Sequence, residues 1–216
     1  MTANSLLGAI SRFVTGTKPE AAKETPAADA NSNLAAIHAA KDAAPIGIIA
    51  GNGTFPLRFI EEAKKHGREV VAVCHRGETA PEVEQVVSRA VWIKVGELGK
   101  IISAFKENGV KEAAMVGGIN RVKHFGQVKL DLRGAALMMK LRSTKDDVIM
   151  RGIAGELAAE GITIIDCTCY LQKCLARNEL YTRTEPSEDE RGDIAVGVAA
   201  IKAMSGQDIG QVVVVR

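Results

Sequence analysis

The stretch Ile46-Gly47-Ile48-Ile49-Ala50-Gly51-Asn52-Gly53-Thr54-Phe55-Pro56 decides how this chain folds. Its first five residues are apolar with no polar alternation, the pattern of a parallel strand covered on both faces. Gly51 and Gly53 allow the backbone conformations that a tight strand-to-helix turn needs. Pro56 suits a first helical turn, where its missing N–H is not used, and so marks the start of a helix. Such a start presents unpaired N–H groups and partial positive charge, and the two glycines carry no side chain to block a ligand. The natural guest is a phosphate.

The same theme repeats along the chain. A helix is expected over about Leu57 to His66, with Leu57, Ile60 and Ala63 facing a sheet and Gly67 ending it. Strands follow at Glu69 to Cys74, at Val91 to Val95 beyond the polar stretch around Pro81, and at Glu112 to Val116, which runs into Gly117-Gly118. Between the last two, a helix from Gly99 to Asn108 closes at Gly109. Further on, a helix from Asp146 to Glu160 ends at Gly161, a strand covers Ile162 to Cys167, and a helix over Asp193 to Met204 follows the charged loop Thr182 to Asp189. This alternation predicts an α/β fold: a doubly wound, Rossmann-like, mostly parallel sheet with helices on both faces. The apolar run Val212 to Val215 is expected either to complete that sheet or to lead into a further domain, because an exposed valine strand invites edge-to-edge pairing.

With 216 residues, 46% of them hydrophobic, the chain can bury one sizeable core over residues 45–216. Residues 1–44, rich in Ala, Ser, Thr, Asn and charge, read as a mobile extension without the features of a secretory signal. Within it, Leu6, Leu7, Ile10, Phe13 and Val14 have helical spacing and suit a short helix lying on a membrane surface or on the domain. A net charge of +2 and only 4% aromatic residues argue against a nucleic-acid binder, which would need basic stripes and stacking platforms. No apolar run approaches the roughly 20 residues of a membrane span. The four cysteines, Cys74, Cys167, Cys169 and Cys174, lack a paired CxxC pattern and read as reduced thiols of an intracellular protein rather than a metal or redox centre.

Ligands of doubly wound sheets sit beyond the carboxyl ends of the strands. That rule selects four loops: Gly51 to Thr54, His75 to Gly77, Gly96 to Lys100 and Gly117 to Arg121. In them Lys100 and Arg121 suit phosphate oxygens, Asn52 and Asn120 suit a base or sugar, and Gly53, Thr54 and Gly118 allow close approach. Thr168, in the segment after the strand that follows Gly161, completes the candidate substrate-binding set. Asp146 and Asp147 either favour the first turn of their helix or hold Mg²⁺ near a phosphate. A dinucleotide reading is weaker. Pro56 stands where a third glycine belongs, and the second strand ends in His75 and Arg76, suited to the 2′-phosphate of NADP, rather than in an acidic ribose partner.

Five motifs in order resemble the amino-terminal part of the LpxI-type UDP-2,3-diacylglucosamine pyrophosphatases: Gly47-Ile48-Ile49-Ala50-Gly51-Asn52-Gly53 with Phe55-Pro56, Val95-Gly96-Glu97-Leu98-Gly99-Lys100, Gly117-Gly118-Ile119-Asn120-Arg121, Lys145-Asp146-Asp147, and Asp208-Ile209-Gly210-Gln211. Lys145 departs from the glycine that commonly precedes the Asp-Asp pair in that family. The resemblance implies Mg²⁺-dependent hydrolysis of UDP-2,3-diacylglucosamine to UMP and 2,3-diacylglucosamine 1-phosphate in lipid A biosynthesis, at the cytoplasmic side of the inner membrane. It also implies a cleft shared with a carboxyl-terminal domain that carries an essential catalytic aspartate, so this chain is expected to be either part of such an enzyme or a non-catalytic UDP-sugar or lipid-binding module, with homo-oligomerisation left open.

Overall fold

In the computed structural model of the protein, residues 44–120, 128–141, 146–177, 179–205, 210 and 212–216 are described. The expected extension over residues 1–44, Arg121, Lys145, the Asp146 side chain and most of the Asp208-to-Gln211 motif therefore lie outside the described residues, Ala44 and Gly210 excepted.

The opening stretch forms the central strand. β1 (Ile46–Ala50) lies between β2 (Val70–His75) and β4 (Glu112–Val116), with β3 (Arg89–Ile93) beyond β2 and β5 (Thr163–Ile164) beyond β4. All pairings are parallel, and Ala50 stands level with Cys74 on one side and with Val116 on the other. The chain first builds outward from β1 through β2 to β3, then crosses back to β4 on the opposite side of β1. The switch point of this Rossmann-like sheet thus falls between β1 and β4.

Helices cover both faces. On one, Ile46, Ile48, Ala50, Ala72, Cys74 and Val116 pack with Phe59, Ile60 and Ala63 of α1 (Phe55–Lys65), Val83 of α2 (Val83–Val86), and Tyr170 and Leu171. On the other, Val71, Val73 and Ala113 meet Leu98, Ile101, Ile102 and Phe105 of α3 (Leu98–Glu107), Leu137 of α4 (Leu132–Leu141) and Leu157 of α5 (Asp146–Ala159). The apolar face of α1 runs through Pro56, Phe59, Ile60 and Ala63, with Leu57 only partly buried. Gly67, Gly109 and Gly161 end α1, α3 and α5 as expected, each at positive φ. At each, the glycine N–H and the one after it fold back on the last turn, as in Gly67 N to Lys64 O and Arg68 N to Ala63 O.

Two expected strand ends need correction, and of the alternatives for Val212 to Val215 one falls away. The last strand of the sheet pairs only over Thr163–Ile164, not to Cys167. Asp166 accepts from both the N–H and the hydroxyl of Thr168, and that local turn ends the extended run. The third strand ends at Ile93, because Glu97 captures the Lys94 N–H at 2.7 Å and Gly96 turns the chain at φ 100°. Val212 to Val215 is not among the five paired strands.

That last segment belongs to a second compact unit, Leu175–Arg216, distinct from the unit that ends at Cys174. Its helix α6 (Glu188–Ser205) starts earlier than expected. The Ser187 N–H donates to the Glu190 carboxylate at 2.7 Å while the Glu190 N–H donates to the Ser187 hydroxyl at 3.2 Å, a reciprocal cap that draws the charged loop into the helix. Val213 and Val215 are half-buried and line, with Ile194, Gly197, Val198 and Ile201, a groove of about 320 Å³, so alternate valines pack on α6 instead of pairing in a ladder. Among the described residues no helix is long and apolar enough to cross a membrane.

Candidate functional site at the strand switch point

Where β1 and β4 end, their loops do not part. The Gly51 N–H donates to Val116 O at 2.8 Å and the Asn52 N–H to Gly118 O at 2.7 Å, forming an antiparallel bridge between Asn52 and Gly118. Glycine is required on both sides of it. A Cβ on Gly51 would stand 2.2 Å from the Gly118 carbonyl oxygen, and one on Gly117, at φ 90°, would stand 2.5 Å from the Asn52 carbonyl oxygen. These glycines therefore admit the neighbouring backbone, whereas among the described residues nothing lies within 4 Å of the place a Gly53 Cβ would occupy. Gly53, Thr54, Gly118 and Asn120 are exposed together on this edge. Thr54 sits at the N-cap position of α1 without a side-chain cap, and Pro56 falls in the first turn as expected.

A carboxylate that sequence reasoning did not select joins the loops. β2 ends in a turn, with the N–H groups of Glu78 and Thr79 both donating to His75 O at 3.0 and 2.9 Å. The Thr79 hydroxyl donates to Ala50 O at 2.6 Å and accepts from the His75 N–H at 2.8 Å. His75 Nδ1 lies 3.0 Å from the same Ala50 oxygen, which only accepts, so Nδ1 carries the proton. His75 is thus buried and ties β2 to the end of β1, while Arg76 is exposed. From this turn Glu78, 8% exposed, reaches across the end of β1. Its Oε2 accepts from Asn52 Nδ2 at 2.7 Å and from the Asn120 N–H at 2.9 Å.

The loop after β3 is organised by a second unforeseen carboxylate. Asp131 accepts from the Gly99 N–H at 2.7 Å and from the Gly134 N–H at 2.8 Å, filling the starts of α3 and α4 at once. The anion favoured at the start of α3 is therefore the protein's own. Lys100 lies in the first turn of α3, exposed, and donates to Glu97 at 2.7 Å. That bond, followed by the one from the Lys94 N–H, holds the Glu97 carboxyl below the usual range.

The structure therefore brings Asn52, Gly53, Thr54, Gly118 and Asn120 to one place. Lys100 lies in the first turn of α3, which follows β3, and β3 is two strands from β1. Thr168 follows β5, two strands away on the other side, bonded to Asp166. Asp147 is exposed and paired with Arg151 one turn along α5. Among the described residues no three His, Cys, Asp or Glu side chains cluster to hold a metal. Burial pushes the Cys74 thiol up to about 12 and the Cys169 thiol to about 11, and all four cysteines are free.

The sequence profile of the LpxI N-terminal domain matches residues 45–174, which is the α/β unit. The chain belongs to the LpxI family. Over 173 residues it is 24% identical to the UDP-2,3-diacylglucosamine pyrophosphatase LpxI of Caulobacter vibrioides, an alignment covering 79% of this chain and 61% of that protein. Among solved structures, the biotin carboxylase domain of the Hydrogenobacter thermophilus 2-oxoglutarate carboxylase overlaps 55% of this chain and 22% of its own, at 18% identity and a TM-score of 0.35. A biotin carboxylase domain of a thermophilic 2-oxoglutarate carboxylase bound to bicarbonate overlaps 52% of this chain and 33% of its own, at 17% identity and a TM-score of 0.29. The LpxI family assignment rests on the profile, and the Rossmann-like fold on the parallel sheet.

Proposed function

We propose that this chain supplies the nucleotide-sugar-binding half of a UDP-2,3-diacylglucosamine pyrophosphatase that releases UMP and 2,3-diacylglucosamine 1-phosphate in lipid A biosynthesis. The observation that carries this reading is the match of residues 45–174 to the LpxI N-terminal domain, in a fold whose switch point gathers the exposed Gly53, Thr54, Gly118 and Asn120. In this reading the diphosphate lies over Gly53 and Thr54. There the start of α1 offers backbone N–H groups and partial positive charge, with no Thr54 side-chain cap in competition. Asn52 and Asn120 flank the nucleotide, and Thr168 is assigned a further contact, as is Arg121, which lies outside the described residues. Lys100 meets a phosphate oxygen by exchanging one anionic partner, Glu97, for another. Because Lys100 is exposed, breaking the pair costs about 1 kcal/mol.

Mg²⁺ enters the proposal with the diphosphate, which brings its own oxygens. Asp147 would have to leave Arg151 to join it, and the described residues do not form a metal cage, so no step is assigned to the ion. The chain spans 61% of the length of its Caulobacter relative, and we propose that turnover needs a catalytic aspartate outside this chain, in a second domain that closes the cleft. A cytoplasmic site, with peripheral contact to the inner membrane, follows from the lipid nature of the substrate.

The experiment is calorimetry of the purified chain with UDP-2,3-diacylglucosamine, with UMP release measured in parallel in Mg²⁺. Binding with negligible release is expected, and Gly53→Val is expected to weaken binding. Absence of binding contradicts the proposal, and robust release would move the catalytic group into this chain.

A further inference from the structure

We infer that Glu78 is the positioning residue of this site: its carboxylate fixes the direction of the Asn52 side chain and the place of the Asn120 backbone, without itself meeting the ligand. The role of the site rests on the nucleotide-sugar reading above, but the placement of the loops does not. Two donors from two different loops converge on the single atom Oε2, at 2.7 and 2.9 Å, although the sequence separates them from Glu78 by 26 and 42 residues. The arm that carries the carboxylate is fixed independently. The turn from His75 to Thr79 is bound to the Ala50 carbonyl by the Thr79 hydroxyl and by His75 Nδ1, so Glu78 projects from a base anchored to the end of the central strand. Asn52 is in turn bound through its backbone to Gly118.

Loops after β1, β2 and β4 thus form one unit in which the Glu78 side chain contacts both asparagines. Bonds to an ionised acceptor are about twice as strong as neutral ones, which makes a carboxylate effective for holding two exposed loops. A negative charge beside a diphosphate is unfavourable for direct contact, and this favours a holding role. Asn52 and Asn120 were selected from the sequence as base or sugar contacts. In the structure they are held at one spacing by a shared partner, and that spacing is what a nucleotide would meet.

The test uses the full chain, with UDP as probe in calorimetry and amide hydrogen exchange as the ligand-free measurement. Glu78→Gln keeps shape and loses charge, and Asn52→Ala removes one of the two donors. Each is expected to lower UDP affinity by about tenfold, and the double variant to lose clearly less than the roughly hundredfold of independent effects, because both variants disturb the bond that Asn52 and Glu78 share. Exchange at the Asn120 amide should accelerate in Glu78→Gln while amides of β1 and β2 keep their protection. Unchanged Asn120 exchange, or losses of affinity that add in the double variant, would overturn the inference. A parent chain that ignores UDP would refute the nucleotide reading instead, and exchange at Asn120 would still decide whether Glu78 places the loops.

Discussion

Replacing Gly51 with alanine should break the clasp between β1 and β4. The new methyl carbon would sit 2.2 Å from the Gly118 carbonyl oxygen and 2.8 Å from its carbon and nitrogen, all backbone atoms that cannot turn aside as a side chain could. The two strand ends must separate. Two bonds are then strained or lost, Gly51 N to Val116 O and Asn52 N to Gly118 O. At about 0.5–1.5 kcal/mol net for each, their loss costs about 1–3 kcal/mol, before any disturbance of the bond from Asn52 to Glu78. For a chain of this size that lowers the thermal midpoint by about 2–4 °C per kcal/mol. Gly53→Ala is the control: its methyl meets no described residue, and the cost expected from φ 83° is about 1–2 kcal/mol. Urea denaturation measures both, and hydrogen exchange separates them. Exchange at the Asn52 and Asn120 amides should accelerate in Gly51→Ala and stay near the parent value in Gly53→Ala. A Gly51→Ala protein as stable as the parent, with both amides protected, would refute the reasoning.

Arg68, 7% exposed, donates to Tyr170, Glu112 and the Ala44 carbonyl, while its Nε has no partner among the described residues. Arg68→Ala should cost about 1–3 kcal/mol in urea denaturation, because Glu112 is half exposed and is not left as a buried charge. Lys106, Glu160, Arg133, Glu156 and Lys140 form a chain of ion pairs linking α3, α4 and α5. Hydrogen bonds from Lys106 and then Arg133 hold Glu160 below the usual carboxyl range, and those from Lys140 and then Arg133 do the same for Glu156. Carboxyls lowered by folding stabilise the fold above their unfolded value, near 4.3, and lose that contribution as pH falls through the lower folded value. Urea midpoints should therefore drop below about pH 4, less steeply in Glu156→Gln, Glu160→Gln, and an identical acid slope in that variant would contradict the assignment. Of the cysteines, exposed Cys174 should react with a disulfide reagent at neutral pH and Cys74 only on unfolding. Lys100→Ala should weaken UDP-2,3-diacylglucosamine binding by about tenfold, and equal affinity would leave it a surface partner of Glu97.

What could be read from the sequence was what local pattern determines. The unbroken apolar run at Ile46 to Ala50 identified a buried parallel strand, and glycines at 67, 109 and 161 marked helix ends, because both signals are set within a few residues. Boundaries moved where a side chain competed for backbone groups, as Asp166 did after β5 and Glu190 at the start of α6. The candidate loops were found because the carboxyl edge of a parallel sheet follows from strand order. Glu78 and Asp131 were not found, since each acts on residues far away in the chain: Glu78 on Asn52 and Asn120, Asp131 on Gly99. A buried carboxylate in a polar turn leaves no period or motif. The only local hint was an acidic residue just beyond the second strand, at the edge where ligands bind.

The central claim is that the edge formed by the β1 and β4 loops holds a nucleotide diphosphate. Titrating UDP into the isotopically labelled chain and following backbone amide shifts tests it most directly. Saturable shifts are predicted at Gly53, Thr54, Gly118 and Asn120, with the opposite edge, around Arg68 and Glu112, unmoved. Shifts confined to the opposite edge or to Leu175–Arg216, or none at any concentration, would contradict it.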